Sequence, residues 1–390
     1  MDIIIIGGGA SGLVAGIEAA KNGATVTILE KNEKPGRKIL ASGNGRCNLT
    51  NIKQDQEYYR SDNPDFAWAL ISKANHFETM RFFTELGVFC KNKNDYIYPY
   101  SEQAASVLEV LLMALKHLKI KLKTCEEIKR ITPLASGFKV KTKTWEYYAD
   151  KVIIATGSKA SPELGASGSG YTLAKELGHT IVKPLAALVG LDICGDVPPW
   201  GGVRMTAAIN LYQNDTLLTR AKGEIQFTDY GISGIPVFSV SRFAVRAIDE
   251  GQKVEARLDL MPDFTEEFLL GFLAERLVNC PYKSIKESLI GLLPKKMIPI
   301  IVRNTQSLDE IVQLVKHYPI IVKGAHSLTQ AQVCSGGVST SEINGNTLES
   351  QLVAGLYFAG EVIDVDGDCG GYNLQWAWSS GRIAGASSAK

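Results

Sequence analysis

Residues 2–30, "DIIIIGGGASGLVAGIEAAKNGATVTILE", decide the fold. Ile3–Ile6 is a short, β-branched run ended by glycine, the pattern of a strand buried on both faces. Residues 11–22 read as a helix with small residues turned toward that strand, and residues 24–30 read as a second strand. Together they form a βαβ unit. Gly7-Gly8-Gly9-Ala10-Ser11-Gly12 fits G-x-G-x-x-G at the strand–helix junction. Gly7 permits the tight turn, Gly9 lets backbone approach a pyrophosphate, and Gly12 allows close packing of helix on strand. The helix start at Ala10 and Ser11 offers unpaired N–H groups and the positive end of the dipole. Glu30 closes the second strand, where its carboxylate can accept from both ribose hydroxyls of an adenosine. Strand, helix and acid in this order favour a dinucleotide site over a chance glycine turn.

The 390 residues suffice for two or three domains. With Lys+Arg 42 against Asp+Glu 41, the net charge is +1, which argues against nucleic acid or an anionic membrane as main partner. A small molecule is the expected partner, and oligomeric state is left open. Seven cysteines, odd in number and widely spaced, give no disulfide framework, no zinc site and no C-x-x-C. A reducing cytoplasm fits best. His76, His117, His179, His317 and His326 lack metal-ligand spacing, so no metal is expected. For His179, after a glycine at a helix end, a charge role at that terminus suffices. The apolar N-terminus carries Asp2 where a signal peptide needs a basic region, and glycines interrupt it. No transmembrane run is expected.

Further along, residues 137–150 alternate as a hairpin or meander, and "KVIIATGS" (151–158) is another buried strand. From 186 to 262, short alternating runs predict an antiparallel barrel or sandwich, with a helix at 235–249. From 263 to 332 the pattern is helical, with Phe268, Leu269, Phe272, Leu273 and Leu277 at helical spacing. After 333 the α/β texture returns. The expected organisation is an α/β fold. A split Rossmann-like FAD-binding domain (1–185 and 333–390) holds a β-rich barrel subdomain (186–262) and a helical one (263–332).

The cofactor choice rests on three separated features: "VIIATG" after the meander, "GLYFAGEVIDVDG" (355–367), and Gly370-Gly371 opening a last helix. A cofactor that reaches from Glu30 to the end of the chain must be long, and FAD has that length. Thr156 and Gly157 join its contacts. Glu361 would hold a ribitol hydroxyl, and the helix start after Gly371 would face the flavin edge that becomes negative on reduction. Trp376 and Trp378 pack that helix.

"GGGASGLVAGIEAA", "EKNEKPGRKILASGNGRCNLTN", "GEIQFTDYGISGIPVFSVS" and "CSGGVSTSEI" through "GLYFAGEVIDVDGDCGGYNLQWAWSSGRIAG" carry a resemblance along the chain. The chain resembles the bacterial FAD-dependent flavoproteins of the aminoacetone oxidase-like or BaiN-like family (YhiN-type). The resemblance implies non-covalent FAD and the split domain with its insertions. It also departs from the pattern: Ser158 stands where the family commonly has glycine, Asp229 where it has histidine, and Ile235 precedes Pro236.

With FAD placed, "GNGRCNLTN" (43–51) reads as a flavin loop. Arg37 and Lys38 could neutralise the pyrophosphate. From Ser42, the loop would run beside the ring, Gly43 and Gly45 allowing close approach. Asn44, Arg46 and Asn48 could donate to flavin or substrate. Lys31, Gly337, Gly360, Asn373 and Leu374 complete the cofactor set. Arg46, Asn48, Tyr230 and Tyr372 are the candidates for chemistry. Cys47 is read as a packing residue. Ser233 is either substrate-facing or the N-cap of the 235–249 helix. Trp200 is on a loop.

Two enzymatic readings follow. The leading one oxidises a small amine or amino ketone by hydride transfer to flavin N5, with O2 as acceptor; the resemblance points to this substrate class. The alternative reverses the flow, with NAD(P)H as a transient electron donor and an activated C=C as acceptor. A third class, a flavin-bearing RNA-modifying or interaction protein, lacks a basic stretch with interleaved aromatics.

Overall fold

The computed structural model describes residues 1–303, 305 and 307–390. The chain divides into two units, Met1–Pro184 with Val333–Lys390, and Leu185–Gln332.

The first unit is built on a five-stranded parallel sheet. Its order is Leu356–Phe358, Lys151–Ile154, β1 (Asp2–Ile6), β2 (Thr25–Leu29) and Lys121–Lys123. Ile3–Ile6 are buried on both faces, as a central parallel strand requires. Helix α1 (Ala10–Lys21) begins directly after the glycines. Gly7 has φ +109°, and a Cβ on Gly12 would lie 1.9 Å from the Gly7 carbonyl oxygen, so strand and helix meet at backbone contact. The strand from the far end of the chain, Leu356–Phe358, adds to the sheet beside Lys151–Ile154.

The last helix, Tyr372–Ser388, packs on α1. A Cβ on Gly381 would come within 2.5 Å of the Ser11 carbonyl oxygen, and one on Gly385 within 2.3 Å of that of Ala15. The two ends of the polypeptide therefore cross at backbone distance. Trp376 and Trp378 are buried, their indole N–H groups donating to the carbonyls of Gly360 (3.1 Å) and Leu49 (3.0 Å). The 137–150 segment is the expected hairpin, and Ile128–Pro133 adds a third strand.

The second unit is a closed six-stranded barrel. The segment read as a separate helical subdomain supplies one of its strands, Tyr318–Ala325, and its helices share the barrel's apolar core. No boundary at residue 262 divides that core. The helical stripe also needs correction: Leu269 and Leu273 face inward, whereas Phe268 and Phe272 are exposed and stack on each other. Trp200 lies on a loop, as expected, and is fully buried against Phe227. The helix Ile235–Asp249 is capped by Gly234 rather than Ser233, with Pro236 in its first turn.

Candidate active site

All the expected cofactor residues lie in the first unit. Gly9 is the N-cap of α1, with no side chain capping the helix, and a Cβ built there meets nothing within 4 Å. Gly12 is required by the fold; Gly9 opens space before a helix start with free N–H groups. Glu30 is buried, accepting from the Gly8 N–H (2.7 Å) and from the Asn32 N–H (2.7 Å) and side-chain amide (2.6 Å). Its carboxylate is thus fixed in place at the end of β2.

Around Glu361 the structure assembles a network from four distant segments. Lys38 Nζ pairs with Glu361 Oε2 at 2.7 Å, while Ser158 Oγ (2.6 Å) and the Cys334 N–H (3.1 Å) donate to Oε1. Ser158, the departure from the family glycine, is therefore a working part of this network. The carboxylate is thus largely buried and held by three donors. Lys38 is used here rather than standing free for a pyrophosphate. Arg37 donates to the Glu163 carbonyl (2.6 Å), and Lys31 bonds Ser167 (2.6 Å).

The loop after Ser42 folds back in left-handed backbone at Gly43, Asn44, Gly45 and Cys47. Ser42 Oγ donates to the Ile39 carbonyl (2.6 Å). Asn44 and Gly45 are exposed, and Arg46 pairs with Glu102 at 3.7 Å. Cys47 is buried, and burial pushes its thiol up to about 12, so it is inert packing. Asn48 is nine-tenths buried, and its Oδ1 has no hydrogen-bond partner among the described residues. An orphan buried acceptor is costly unless a ligand serves it.

The start of the last helix comes to this loop. Asn51 donates to the Gly370 carbonyl (3.2 Å), and a Cβ on Gly371 would strike the backbone of Thr50 at 2.8 Å. Gly371 caps this 17-residue helix without a side-chain hydrogen bond. The two segments expected at the flavin ring are thus adjacent, though 319 residues apart in the chain. Asn373 is taken up by the fold, exchanging hydrogen bonds with Gly367 at 2.8 Å in both directions. Leu374 is half-buried beside it.

Tyr372, a candidate for chemistry, is instead buried and stacked on Tyr58 with ring centroids 4.5 Å apart. Burial holds its phenol far above the usual range. Tyr230 belongs to the barrel unit. It stacks on His326 at 3.5 Å, and His326 Nδ1 lies 2.7 Å from Asp192. His179 is no helix-end charge: it is buried, its Nδ1 3.2 Å from Glu342 and its Nε2 2.9 Å from Ser350, and burial lowers its pKa.

Two residues escaped the sequence reading. Tyr96 and Tyr98 stand on one face of the strand Tyr96–Pro99, which pairs with Thr50–Asn51 of the loop. "YIYP" carried the signal, an alternation of aromatic and apolar side chains. Thr156, Gly157, Gly337 and Gly360 line the strand ends and turns around Glu361. A Cβ on Gly157 would lie 3.9 Å from Glu361 Oε2, and one on Gly360 would lie 2.4 Å from Ser11 Oγ.

The open cradle at Gly9, the fixed acids Glu30 and Glu361, and the orphan oxygen of Asn48 fit a long dinucleotide cofactor such as FAD. Among the described residues no helix is long and apolar enough to cross a membrane. A family model described as HI0933-like protein Rossmann domain matches residues 1–387. The 3-dehydro-bile acid delta(4,6)-reductase of Clostridium scindens is 41% identical, the match covering 99% of this chain and 98% of that protein. The ribosomal RNA dihydrouridine synthases of Haemophilus influenzae and Escherichia coli are 30% and 29% identical, each covering 97% of this chain and 96% of its own length.

Proposed function

Because the chain belongs to the HI0933-like family of FAD-dependent Rossmann oxidoreductases, we propose that it reduces a carbon–carbon double bond conjugated to a carbonyl, in a flat and largely apolar substrate of the steroid type. The observation that carries this reading is the 41% identity, over nearly the full length of both chains, to a protein named for reducing a 3-dehydro-bile acid. The RNA-directed relatives bear on the same chemistry, since dihydrouridine is uridine with its carbonyl-conjugated double bond saturated. The barrel unit and the Rossmann unit both carry nearly balanced charge, which favours the small substrate over RNA. No relative named above supports amine oxidation.

In this reading Gly7, Gly9, Ala10, Ser11 and Gly12 hold the pyrophosphate, Glu30 a ribose, and Glu361 the polyol chain. The loop 43–48 and the start of the last helix face the ring. Bound FAD supplies the centre that accepts and donates hydride, and a nicotinamide such as NAD(P)H is its reductant. Overall the substrate gains a hydride at the carbon β to the carbonyl and a proton at the α carbon. The protein's own task is to exclude water, present the double bond and stabilise the charge that builds on the carbonyl oxygen.

The test is anaerobic photoreduction of the FAD-loaded protein, followed by rapid mixing. A 4-en-3-one steroid is expected to restore the yellow colour without air and to yield the saturated ketone. Rapid bleaching of the oxidised protein by aminoacetone, with no response of the reduced protein to the enone, would restore the oxidase reading. Saturation of uridines in RNA under the same conditions would move the substrate to nucleic acid.

A further inference from the structure

Five tyrosines surround the junction of the loop and the last helix: Tyr58, Tyr59, Tyr96, Tyr98 and Tyr372. Tyr59 donates to Gln54 (2.7 Å), and the rings of Tyr58 and Tyr372 stack on each other. Tyr96 and Tyr98 stand outside that stack, on one face of their strand. Both are half-buried, and among the described residues neither hydroxyl hydrogen-bonds to protein.

Their positions mark the two glycine approaches. A Cβ on Gly370 would lie 2.9 Å from the Tyr96 ring, and one on Gly43 would lie 3.6 Å from the Tyr98 ring. Two residues apart on one strand face, their Cα atoms are roughly 7 Å apart, about the width of a fused ring system. The surroundings distinguish them. Tyr98 neighbours Arg46 and Glu102, one charge of each sign, whereas Tyr96 neighbours Asp368 and Asp95 against Lys53, with Cys369 near both. An oxygen that gains negative charge is therefore better tolerated beside Tyr98 than beside Tyr96.

Resting on the reductase reading above, we propose that Tyr98 is the hydrogen-bond donor to the carbonyl oxygen of the substrate, with the Tyr96 ring as the flat wall along which the apolar skeleton lies. The Tyr98 ring lies against Gly43 of the loop, its hydroxyl has no hydrogen-bond partner among the described residues, and Arg46, 3.7 Å from Glu102, stands near it to support a developing enolate. Burial, the largest influence on the phenol, raises its pKa and so keeps it a donor at neutral pH.

The experiment measures binding rather than turnover. FAD-loaded protein is titrated by calorimetry with a saturated 3-keto steroid, which cannot be reduced at a double bond, and with its analogue bearing CH2 in place of the ketone. Wild type is expected to bind the ketone more tightly. In Tyr98→Phe that advantage is expected to fall about tenfold, while binding of the deoxy analogue is kept. Tyr148→Phe, an exposed tyrosine of the three-stranded sheet, serves as control. If Tyr98→Phe keeps the ketone advantage, or weakens both ligands equally, the donor role is overturned while the reductase reading stands. If wild type holds FAD yet binds neither steroid, the substrate class itself is wrong and the donor assignment falls with it.

Discussion

Two glycines of the first turn separate what the fold needs from what the ligand needs. A methyl on Gly12 would be driven into the Gly7 carbonyl, whereas one on Gly9 enters open space. Gly12→Ala is therefore expected to destabilise the protein by more than about 3 kcal/mol. Gly9→Ala should leave the thermal midpoint of the apoprotein unchanged and weaken FAD binding at least about tenfold, read by quenching of FAD fluorescence. Equal loss of stability in both variants would remove the argument for a phosphate cradle. Cysteines divide in the same way. Cys47, buried and held near 12, should resist iodoacetamide at pH 8, while exposed Cys125 and Cys194 are alkylated, as peptide mass mapping would show. At this scale the sequence was most readable where the backbone itself demands a residue type, as at Gly7 and Gly12. It was least readable for tyrosines and lysines, whose role depends on which neighbour the fold supplies. Tyr372 turned inward, Tyr98 outward, and Lys38 went to Glu361.

Between elements, the decisive contact is the crossing of α1 and the last helix. Gly385→Ala places a methyl 2.3 Å from the Ala15 carbonyl, so the helices must separate. The expected cost is about 2 kcal/mol or more, with weaker FAD binding because Ser11 and the helix start move with α1. A variant as stable as wild type in urea would contradict it. "GRIAG" (381–385) held this signal in its two spaced glycines, but only the partner helix reveals their use. His179 ties the turn at residues 179–180 to the segment Thr340–Ser350 through Glu342 and Ser350. Burial lowers its pKa below the ordinary value of about 6.5, so below that pH the unfolded chain takes a proton that the native chain refuses. Its contribution to stability is full above pH ~6.5 and falls as the pH drops below it. Urea midpoints at pH 7.5 and 5.5 should show a smaller acid loss in His179→Gln than in wild type. Four strands of the barrel were legible from their alternation. Gly231–Ser233 was not, and neither was Tyr318–Ala325, because helices separate it by 58 residues from the strand it pairs with, Val254–Asp259.

At the scale of the molecule, the chain builds two apolar cores. One gathers β1, β2, α1 and the last helix; the other gathers the barrel and its helices. The passage out at residue 184 and back at 333 lies within two residues of the boundaries read from composition, because a change from parallel to alternating strands is visible in sequence. The merging of barrel and helices into one core is not, since sequence periodicity identifies a buried face without naming what covers it. All the residues proposed to hold FAD lie in the first unit, so on that proposal the cofactor would stabilise this unit directly. By mass action, FAD at a hundredfold excess over its Kd adds about 2.7 kcal/mol to whichever unit binds it. Scanning calorimetry at several FAD concentrations is therefore expected to resolve two transitions, one rising with FAD and one fixed. In the Gly9→Ala variant both should stay fixed at concentrations that shift the wild type. A single transition that climbs as a whole would mean that the two cores unfold together, with the barrel sharing the stability that the cofactor confers.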